Sequence, residues 1–208
     1  MMRRVVDVAV AGAALVLLLP VLVVIAVVVR ISVGSPVLFR QVRAGRHGRP
    51  FTIYKFRSMR NPQGPIELGV DDDLRLTRVG RFLRSVSLDE LPELLNILKG
   101  DMTLVGPRPL PPEYIERYTP QQARRLEVTP GLTGWAQVRG RNALSWEERF
   151  ALDVYYVDHR SPWFDLKILA LTVVQVLRRD GISTEGYATS PVFLGTTVEA
   201  PSRTNQLP

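Results

Sequence analysis

The sequence predicts an α+β domain attached to a membrane through its N-terminal segment, and three patterns support this fold class. Residues 8–29 form an uncharged apolar run of about 22 residues, roughly 33 Å as a helix, which matches the ~30 Å hydrocarbon core of a bilayer. Two β-rich runs around a Gly/Pro-containing turn predict a small antiparallel hairpin. Apolar spacing in 88–98 and an apolar run in 165–179 predict helices, several of them short or amphipathic.

The overall composition is that of a folded protein. Of the 208 residues, 46% are hydrophobic and 23% are charged, which excludes intrinsic disorder of the whole chain. The chain has no cysteine, so disulfides, thiolate metal sites and a cysteine nucleophile are excluded. Its length predicts one main domain. We expect a membrane segment with its exit over 1–34, the main domain over 35–190, and a tail over 191–208 that is flexible at its end.

The charge of the chain is basic and unevenly distributed. The formal net charge is +7, and 24 of the 27 basic residues are arginine. Arginine binds phosphate through two parallel hydrogen bonds, so this bias fits phosphate recognition, although codon bias in a GC-rich genome would produce the same composition. Residues 30–60 contain eight basic side chains and no acid, which predicts contact with anionic lipid headgroups.

The apolar run allows two courses through a membrane. It is too long for a cleaved signal peptide and ends without a small-residue cleavage site, so we expect a retained anchor. Pro20, in the middle of the run, kinks or breaks the helix. A helix that bends there and returns would keep both basic flanks in the cytoplasm, whereas the residues alone favour a plain span with a tolerated kink. Arg4 is expected to pair with Asp7, three residues further along the same helical face.

The remaining elements follow from local periodicity and turn residues. We predict strands over 37–42 and 51–56 with a turn at 45–50, a polar loop over 61–73, a helix over 88–98 that stops at Lys99-Gly100, a Gly/Pro-rich loop over 101–112, short helices over 112–118 and 120–127, a turn at 130–135, and helices over 145–156 and 165–179. Ser145 and Glu148 have capping-box spacing. Trp163 and Phe164 precede the last helix, which fits equally a helix in the membrane interface and a buried core helix.

The acidic pair Asp89-Glu90 is the most informative local feature. Ser87 and Glu90 have capping-box spacing, whereas a start capped by Asp89 would place Pro92 in the first turn. Either start puts both carboxylates at a helix N-terminus, where the helix dipole favours their ionised forms. An ionised aspartate can attack phosphorus, and a neighbouring carboxylate can hold Mg2+ or take a proton. Ordinary helix chemistry also explains two acids in a first turn.

Other polar motifs are candidate phosphate or nucleotide contacts. The proline-stiffened loop 106–109 would hold Arg108 in one place, and Arg84 lies just before the acidic pair. Residues 135–142 place a tryptophan near two arginines, which suits either nucleotide binding or packing. The three aspartates at 71–73 are comparable to the metal motif of nucleotide-sugar glycosyltransferases, but in a polar loop a solvated charge run is the expected interpretation.

Taken together, these features resemble one family, whose motifs cover the chain from the anchor to about residue 187. The shared stretches are Ile53-Tyr54-Lys55-Phe56-Arg57-Ser58-Met59, Arg84-Ser85-Val86-Ser87-Leu88-Asp89-Glu90-Leu91, Asn96-Ile97-Leu98-Lys99-Gly100-Asp101-Met102, Leu104-Val105-Gly106-Pro107-Arg108-Pro109, Pro130-Gly131-Leu132-Thr133-Gly134-Trp135-Ala136-Gln137-Val138 and Asp153-Val154-Tyr155-Tyr156. On these residues the chain resembles the bacterial sugar transferases, the monotopic polyprenyl-phosphate phosphoglycosyl transferases, in their minimal form without added membrane spans.

The resemblance implies an enzyme that transfers sugar-1-phosphate from a UDP-sugar to undecaprenyl (polyprenyl) phosphate and releases UMP. By the family's pattern, Asp89 is the nucleophile that forms a covalent phosphosugar–aspartyl intermediate, and Glu90 serves Mg2+ and proton handling. The expected Mg2+ ligands are Asp89 and Glu90. The basic positions that serve phosphate and nucleotide groups in the family correspond to Lys55, Arg84, Arg108 and Arg141.

The resemblance also implies how the protein meets the membrane. The family anchor is a re-entrant helix broken at Ser-Pro, which favours the bent course over the plain span; here Pro20 is present and Leu19 stands in place of the serine. The expected location is the bacterial inner membrane, with the catalytic domain, 35–190, on the cytoplasmic face. The expected partners are the UDP-sugar, undecaprenyl phosphate and anionic lipid headgroups, with no nucleic acid. The identity of the sugar, the pathway and the formation of a homo-oligomer stay open.

Two other functions stay open on the residues alone. A membrane-anchored polybasic binding module would use residues 30–60 to bind anionic lipid or nucleic acid, with no Mg2+ dependence and no need for Asp89. Direct glycosyl transfer through Asp71 and Asp73 would release UDP rather than UMP. The nucleotide product therefore distinguishes both functions from phosphosugar transfer.

Overall fold

The fold joins a bent N-terminal helix pair to a domain of short helices and two small sheets, which confirms a mixed helix and sheet class. The computed structural model describes residues 2–61, 75–140, 143–178 and 192–195. The α-helices are α1 (Met2–Leu17), α2 (Leu19–Ser32), α3 (Arg78–Ser85), α4 (Leu94–Lys99), α5 (Pro120–Ala123), α6 (Trp135–Arg139), α7 (Trp146–His159) and α8 (Pro162–Arg178). The strands are β1 (Leu38–Ala44), β2 (Pro50–Phe56), β3 (Thr103–Val105) and β4 (Gly131–Thr133). Short 3₁₀-helices cover Arg46–Gly48, Leu88–Glu93, Pro112–Arg117 and Arg124–Glu127, so the helices predicted over 112–118 and 120–127 are present mostly with 3₁₀ geometry.

The N-terminal apolar run is broken into two helices. α1 and α2 meet at Leu18, and the angle of the bend is 64°. Pro20 lies in the first turn of α2, where its missing N–H removes no helix hydrogen bond. The predicted break is confirmed, and Leu19 does not prevent it. No single helix in the described ranges is long and apolar enough to cross a membrane, but the bent pair taken together meets that requirement by length and composition. Its re-entrant course in a bilayer stays a prediction.

Polar side chains of α1 dock this helix on the main domain. The Asp7 carboxylate accepts hydrogen bonds from Thr103 Oγ1 at 2.6 Å and from the Leu104 backbone N–H at 3.1 Å. Arg4 donates to the carbonyl oxygens of Ile97 and Leu98 at the C-terminal end of α4, where the intrahelical hydrogen bonds run out. The predicted Arg4–Asp7 pair is therefore wrong, because each of the two side chains finds its partners across the interface.

The predicted hairpin is confirmed, and its register is defined. β1 and β2 pair antiparallel along their whole lengths, with Leu38 opposite Phe56 and Ala44 opposite Pro50. Lys55 is the next-to-last residue of β2, and its side chain reaches the 3₁₀-helix that carries the acidic pair. The hairpin thus positions one of the predicted phosphate-binding residues.

A second sheet lies where the sequence predicts loop and turn. β3 pairs with β4 in parallel. A Cβ atom at Gly131 would lie 2.0 Å from the Gly106 amide nitrogen, so only glycine permits this close approach of the two chain segments. The predictions of a loop over 101–112 and a turn at 130–135 are wrong over these strands, because three residues are too few to show strand periodicity.

The helix predicted over 88–98 is two elements. Leu88–Glu93 is a 3₁₀-helix, and α4 begins only after it, because Pro92 cannot donate the amide hydrogen bond that a continuous α-helix requires. Gly100 follows α4 with φ 96°, which confirms the predicted glycine cap. The buried Asn96 amide accepts from and donates to the backbone of β2, so α4 is tied to the hairpin.

Two hydrophobic clusters surround the 3₁₀-helix. The main core lies between α1, the sheets and the C-terminal helices, and its buried members include Ala11, Ile53, Leu94, Ile97, Met102, Trp135, Tyr156 and Ile168. The second cluster lies between α2, α3 and the hairpin, and its buried members are Ile25, Val29, Phe56 and Leu83. Leu88 and Leu91 pack against the second cluster, so the segment with the acidic pair is supported from the side of the N-terminal helices.

The C-terminal helices begin close to their predicted positions. Ser145 and Glu148 form both hydrogen bonds of the predicted capping box at the start of α7. α8 begins at Pro162, three residues earlier than predicted. Ile168 is fully buried whereas Trp163 is 80% exposed, so α8 buries one apolar face in the core and presents another. The buried face agrees with the core-helix alternative, and the placement of the exposed face in a membrane interface stays a prediction.

An aromatic cluster includes the start of the predicted tail. Phe193 is 1% exposed and packs against Tyr114, Trp146 and Phe150. Its backbone N–H donates to the Tyr114 hydroxyl at 3.1 Å. This part of 191–208 is attached to the domain, and the predicted flexible end of the tail lies outside the described residues.

Candidate active site

The acidic pair lies in the first turn of the 3₁₀-helix Leu88–Glu93. Ser87 precedes it in a left-handed backbone conformation (φ 57°), and its side chain makes no capping hydrogen bond, so the predicted capping box with Glu90 is wrong. The alternative start capped by Asp89 is also wrong, because Asp89 lies inside the 3₁₀-helix. Both carboxylates nevertheless stand at the start of a helix, and the Glu90 carboxylate reaches β2 and the 106–109 loop.

Glu90 is held between two cations. Lys55 Nζ lies 2.6 Å from Glu90 Oε1, and the Arg108 guanidinium contacts both carboxylate oxygens. Burial alone would raise the pKa of Glu90, but the charges of Arg108 and Lys55 outweigh burial and hold this pKa well below its ordinary value. In turn, Glu90 raises the pKa of Arg108. Glu90 is therefore a fixed carboxylate that orients two of the predicted phosphate-binding side chains.

Asp89 stands beside this clamp and is not part of it. Its side chain is buried, with 8% exposed, and none of the described residues donates a hydrogen bond to its carboxylate. Burial and the charge of Glu90 raise the pKa of Asp89, while Lys55, Arg84 and Arg108 oppose the rise. For Asp89, burial and the charge of Glu90 therefore outweigh the effect expected of the helix dipole. The environment drives the two pKa values apart and leaves the Asp89 oxygens free to react.

A third carboxyl group, Glu93, was missed by the sequence analysis. Its side chain is 1% exposed, and Lys55 Nζ lies 3.1 Å from its Oε1 without the alignment of a hydrogen bond. Burial raises the pKa of Glu93 to about 7, Lys55 partly offsets this rise, and Glu90 adds to it. The spacing of Glu90 and Glu93 could have revealed this residue, because positions three apart share one face of a 3₁₀-helix.

Arg84 reaches the same site from α3. Its Nε donates to Ser58 Oγ at 2.9 Å. Gly80 packs so closely on Ser58 that a Cβ atom there would lie 1.9 Å from the Ser58 carbonyl oxygen, which fixes α3 against the segment after β2. The charge of Arg84 acts on the Asp89 carboxyl, so the structure brings this predicted residue to the acidic pair.

Arg108 is positioned by a braced loop. The Gly106 N–H donates to the Thr133 carbonyl oxygen at 2.8 Å, and Arg125 donates to the Arg108 carbonyl oxygen at 2.7 Å. Arg125 also forms a buried ion pair with Asp153, in which the two side chains approach to 2.8 Å. The prolines of this loop and its hydrogen bonds therefore fix Arg108, as the sequence predicted.

Two more arginines, Arg43 and Arg149, lie within electrostatic reach of Arg108 and were not singled out from the sequence. Burial and then the charge of Arg108 lower the pKa of Arg43 to about 10, and the same two causes lower the pKa of Arg149. Arg149 also lies over the Trp146 ring at 4.4 Å from its centroid. Buried cations that repel one another form a region that attracts anions, so the surroundings of Arg108 suit a phosphate group.

Of the other predicted residues, some fall outside the described residues and one lies elsewhere in the fold. Arg141, Asp71 and Asp73 lie outside the described residues. Trp135 is buried in the main core, and Arg139 lies over its ring at 4.2 Å from the centroid, which favours packing over nucleotide binding for this tryptophan. Lys55, Arg84 and Arg108 do converge with Asp89 and Glu90.

The oxygen atoms of the acidic pair fit a Mg2+ ion of the kind that protein carboxylates share with substrate phosphates. Within the described ranges no group of three or more His, Cys, Asp and Glu side chains is arranged to hold a metal. One or two carboxylates suffice for Mg2+ when substrate phosphates complete the coordination. Asp89 accepts no hydrogen bond from described residues, and Glu90 Oε2 has only a long contact of 3.5 Å with Arg108. Both therefore keep lone pairs for a cation.

Comparison with known proteins identifies similar chains. The family model described as bacterial sugar transferase matches residues 1–179. The chain is 56% identical over 168 residues to the uncharacterized sugar transferase EpsL of Bacillus subtilis, a match that covers 81% of this chain and 83% of that protein. It is 43% identical over 188 residues to the UDP-glucose:undecaprenyl-phosphate glucose-1-phosphate transferase of Caulobacter vibrioides, covering 86% of this chain and 70% of that protein.

Other relatives are longer than the matched region. The undecaprenyl-phosphate galactose phosphotransferase of Salmonella typhimurium is 44% identical over 165 residues, which are 71% of this chain and 35% of that protein. The matched region therefore corresponds to most of some relatives and to about a third of others. The residues that the family model matches, 1–179, include the bent helix pair and all the site residues described above.

Proposed function

The chain belongs to the bacterial sugar transferase family, and from this membership we propose that it transfers sugar-1-phosphate from a UDP-sugar to undecaprenyl phosphate or a related polyprenyl phosphate. Relatives named for transfer of glucose-1-phosphate or phosphogalactose to undecaprenyl phosphate support the general reaction. The proposal extends beyond their names to a covalent intermediate on Asp89 and to the release of UMP. The sugar is left open.

The contrast between Asp89 and Glu90 is the observation that carries this proposal. Glu90 is held by Lys55 and Arg108, whereas the adjacent Asp89 carboxylate accepts no hydrogen bond from described residues. A carboxylate whose lone pairs are free, beside cations that bind phosphate, is arranged for attack on phosphorus. A purely structural acid at a helix start would instead be expected to cap backbone N–H groups.

In the first step, an Asp89 oxygen attacks the phosphorus that carries the sugar. The bond between this phosphorus and the oxygen bridging to the second phosphate breaks, and its electron pair leaves with UMP. Arg108, with Arg43 and Arg149 in reach, stabilises the charge that develops on the diphosphate. The product is a phosphosugar joined to Asp89 through a mixed anhydride.

In the second step, a phosphate oxygen of the polyprenyl phosphate attacks the same phosphorus. The bond to Asp89 breaks, the carboxylate is regenerated, and the lipid-linked diphosphosugar leaves. The acceptor phosphate is largely a dianion at neutral pH, because its second pKa is about 6, so the attack needs no strong base. Glu90, with its low pKa, therefore serves chiefly to orient Lys55 and Arg108. Mg2+ held by Asp89, Glu90 and the donor phosphates would neutralise charge on the leaving nucleotide.

The apolar surfaces suit an enzyme whose acceptor is a lipid. α1 and α2 carry many exposed valines and leucines, and Trp163 of α8 is exposed as well. The basic residues between 30 and 60 would attract anionic headgroups. We propose that the bent pair enters the cytoplasmic leaflet of the bacterial inner membrane as a re-entrant anchor and holds the site at the cytoplasmic face.

The nucleotide product tests this function. Purified protein with undecaprenyl phosphate, Mg2+ and a panel of UDP-sugars should release UMP with at least one sugar and form a lipid-linked diphosphosugar. Release of UDP would instead indicate direct glycosyl transfer, and the absence of any nucleotide product with every sugar would favour the polybasic binding module. Acid quenching followed by intact-mass measurement should detect a phosphosugar adduct on the peptide that contains Asp89.

A further inference from the structure

The Tyr156 hydroxyl lies between two acceptors that belong to different parts of the fold. Its oxygen is 3.0 Å from the carbonyl oxygen of Val105, the last residue of β3, and 2.8 Å from Asp165 Oδ1 in the first turn of α8. Tyr156 is buried, so neighbouring protein groups rather than bulk water decide which hydrogen bonds its hydroxyl makes. The mechanism above uses neither Tyr156 nor Asp165.

The Val105 carbonyl belongs to the peptide group that begins the loop with Arg108. The N–H of the same peptide group, on Gly106, donates to the Thr133 carbonyl oxygen at 2.8 Å. This peptide group is therefore hydrogen-bonded on both sides, to Tyr156 and to β4. The carbonyl oxygen of Arg108 itself is the next fixed point of the loop. Tyr156 thus holds the N-terminal end of a loop whose other fixed point is at the phosphate-binding arginine.

Both hydrogen bonds of the Tyr156 hydroxyl can exist together only when Asp165 is protonated. A phenol carries one hydrogen, and a carbonyl oxygen only accepts. When Asp165 is protonated, its O–H donates to Tyr156, whose own hydrogen goes to Val105. When Asp165 is ionised it can only accept, and as the stronger acceptor it takes the single hydrogen of Tyr156. The ionised carboxylate therefore withdraws the hydrogen bond from the Val105 carbonyl oxygen.

The charged and titratable groups that face Asp165 come from α1 and from the end of α7. On α1, Arg3 pairs with Asp165 at 3.3 Å and Asp7 adds a negative charge. On the other side are Tyr156 of α7 and Arg160, which follows that helix. Burial is the largest cause and raises the pKa of Asp165, and the charge of Asp7 adds to the rise. The tyrosine hydrogen bond and the two arginines oppose the rise, so Asp165 keeps its proton to a higher pH than an exposed aspartate does.

We propose that Tyr156 is a positioning residue for the phosphate-binding loop, and that Asp165 controls it by competing with the Val105 carbonyl oxygen for the tyrosine hydrogen. While the bond to Val105 is made, the loop is held at both points and Arg108 stands where charge develops on the donor diphosphate. When the bond is withdrawn, the loop loses its first fixed point. This inference rests on the proposed function, because the loop matters there through the role of Arg108. It links the start of α8 to the site through one hydrogen bond.

Two substitutions should act in opposite directions at high pH. Tyr156→Phe removes the hydroxyl and keeps the ring, so kcat for UMP release should fall roughly tenfold at every pH, with a smaller change in KM for the UDP-sugar. Asp165→Asn removes the competing charge, so its rate should equal that of the wild type at low pH and exceed it as the pH rises through the pKa of Asp165. A merely structural hydrogen bond would make both variants slower.

Rates are compared with the wild type at each pH, so that the titration of the acceptor phosphate cancels. Tyr155→Phe is the matched control, because Tyr155 is the neighbouring tyrosine on α7 and is half-exposed. Its pH profile should follow that of the wild type. If Tyr156→Phe fails to fold, the ratio of the Asp165→Asn rate to the wild-type rate still decides, because this ratio should rise with pH.

Nuclear magnetic resonance of the full-length protein in detergent micelles tests the link without turnover. The ¹³C signal of the Asp165 carboxyl, identified by its absence in Asp165→Asn, reports the protonation of this group. The ¹⁵N signal of Gly106 reports the hydrogen bond to the carbonyl oxygen of its own peptide group. The two signals should titrate with the same midpoint in the wild type, and the Gly106 signal should not follow that midpoint in Tyr156→Phe.

The outcomes separate this inference from the proposed function. A Gly106 signal that does not titrate with Asp165, or an Asp165→Asn rate ratio that does not rise with pH, overturns the inference even when the wild type releases UMP. If no UDP-sugar gives UMP and the two signals still titrate together, the proposed function fails and the control of the loop by Asp165 stands.

Discussion

Lys55 Nζ lies 2.6 Å from Glu90 Oε1, and this contact joins the end of the hairpin to the first turn of the helix that carries the acidic pair. The same ammonium lies 3.1 Å from Glu93 Oε1, so one cation is shared by two carboxylates. The carboxylate of Asp89, by contrast, accepts no hydrogen bond from the described residues. Most of the expected behaviour of the site follows from this division.

Asp89→Asn should abolish the reaction while leaving the protein in the membrane. The amide cannot form the bond to phosphorus, so UMP release should fall by roughly a thousandfold or more. Asp158→Asn is a suitable control, because Asp158 is exposed on α7, pairs with Arg124 and should tolerate the change. UMP release and recovery in the membrane fraction are the two measurements. Full activity of Asp89→Asn would refute the assignment of the nucleophile.

Lys55→Met should destabilise the fold as well as reduce activity. Above pH 7, where Glu93 is ionised, the change leaves this carboxylate buried without its cation, and breaking such a pair costs up to about 3 kcal/mol. Adding Glu93→Gln should recover part of the loss, since the buried group is then neutral. Urea unfolding of the single and double variants measures the coupling between the two positions. Lys99→Met, at an exposed lysine beside Tyr54, is the control; simple additivity of the two changes would contradict the shared-cation interpretation.

The stability of the protein should depend on pH through Glu93. Its pKa is about 7 in the folded protein and near 4.5 when unfolded, so the folded state retains a proton that the unfolded state releases. The resulting stabilisation is present in full below about pH 4.5 and is lost as the pH rises through 7. Glu93→Gln removes this dependence, so its stability relative to the wild type should improve by up to about 3 kcal/mol between pH 4.5 and 8.

Unfolding free energies without Mg2+ across this pH range provide the measurement. Glu147→Gln, an exposed acid in the first turn of α7, serves as the control and should leave the pH dependence unchanged. A constant difference between Glu93→Gln and the wild type would contradict the raised pKa of Glu93.

Asp7→Ala should loosen α1 from the domain. The change leaves the Thr103 hydroxyl and the buried Leu104 N–H without their acceptor, which costs about 1–3 kcal/mol. Amide hydrogen exchange should increase along α1 and β3, whereas Val8→Ala, on the same helix at a partly exposed position, should leave it unchanged. If exchange in β3 is the same in both variants, the docking contact contributes little.

Features with a local cause could be predicted from the sequence. The hairpin follows from two β-rich runs and a turn, the break from Pro20, the end of α4 from Gly100, and the start of α7 from Ser145 and Glu148. In each case residues within a few positions of one another supply the physical reason. The same holds for Arg108, whose rigidity follows from adjacent prolines.

Features that depend on distant residues could not be predicted. Asp7 and its partners on β3 are more than 90 positions apart, and the local reading paired it with Arg4 instead. β3 and β4 are three-residue strands that exist because Gly106 and Gly131 let distant segments touch. The raised pKa of Glu93 and the crowding of Arg43 by Arg108 are consequences of burial, which becomes visible only when the fold is known.

The hydrogen bonds from Arg4 to carbonyl oxygens near the end of α4 fix the position of α4 relative to α1. α4 continues directly from the 3₁₀-helix that carries Asp89. The docking of α1 on the C-terminal end of α4 therefore also positions the Asp89 carboxylate. On the proposed function, the phosphate of the lipid acceptor would therefore have to meet Asp89 at a depth that the docking of α1 on α4 fixes.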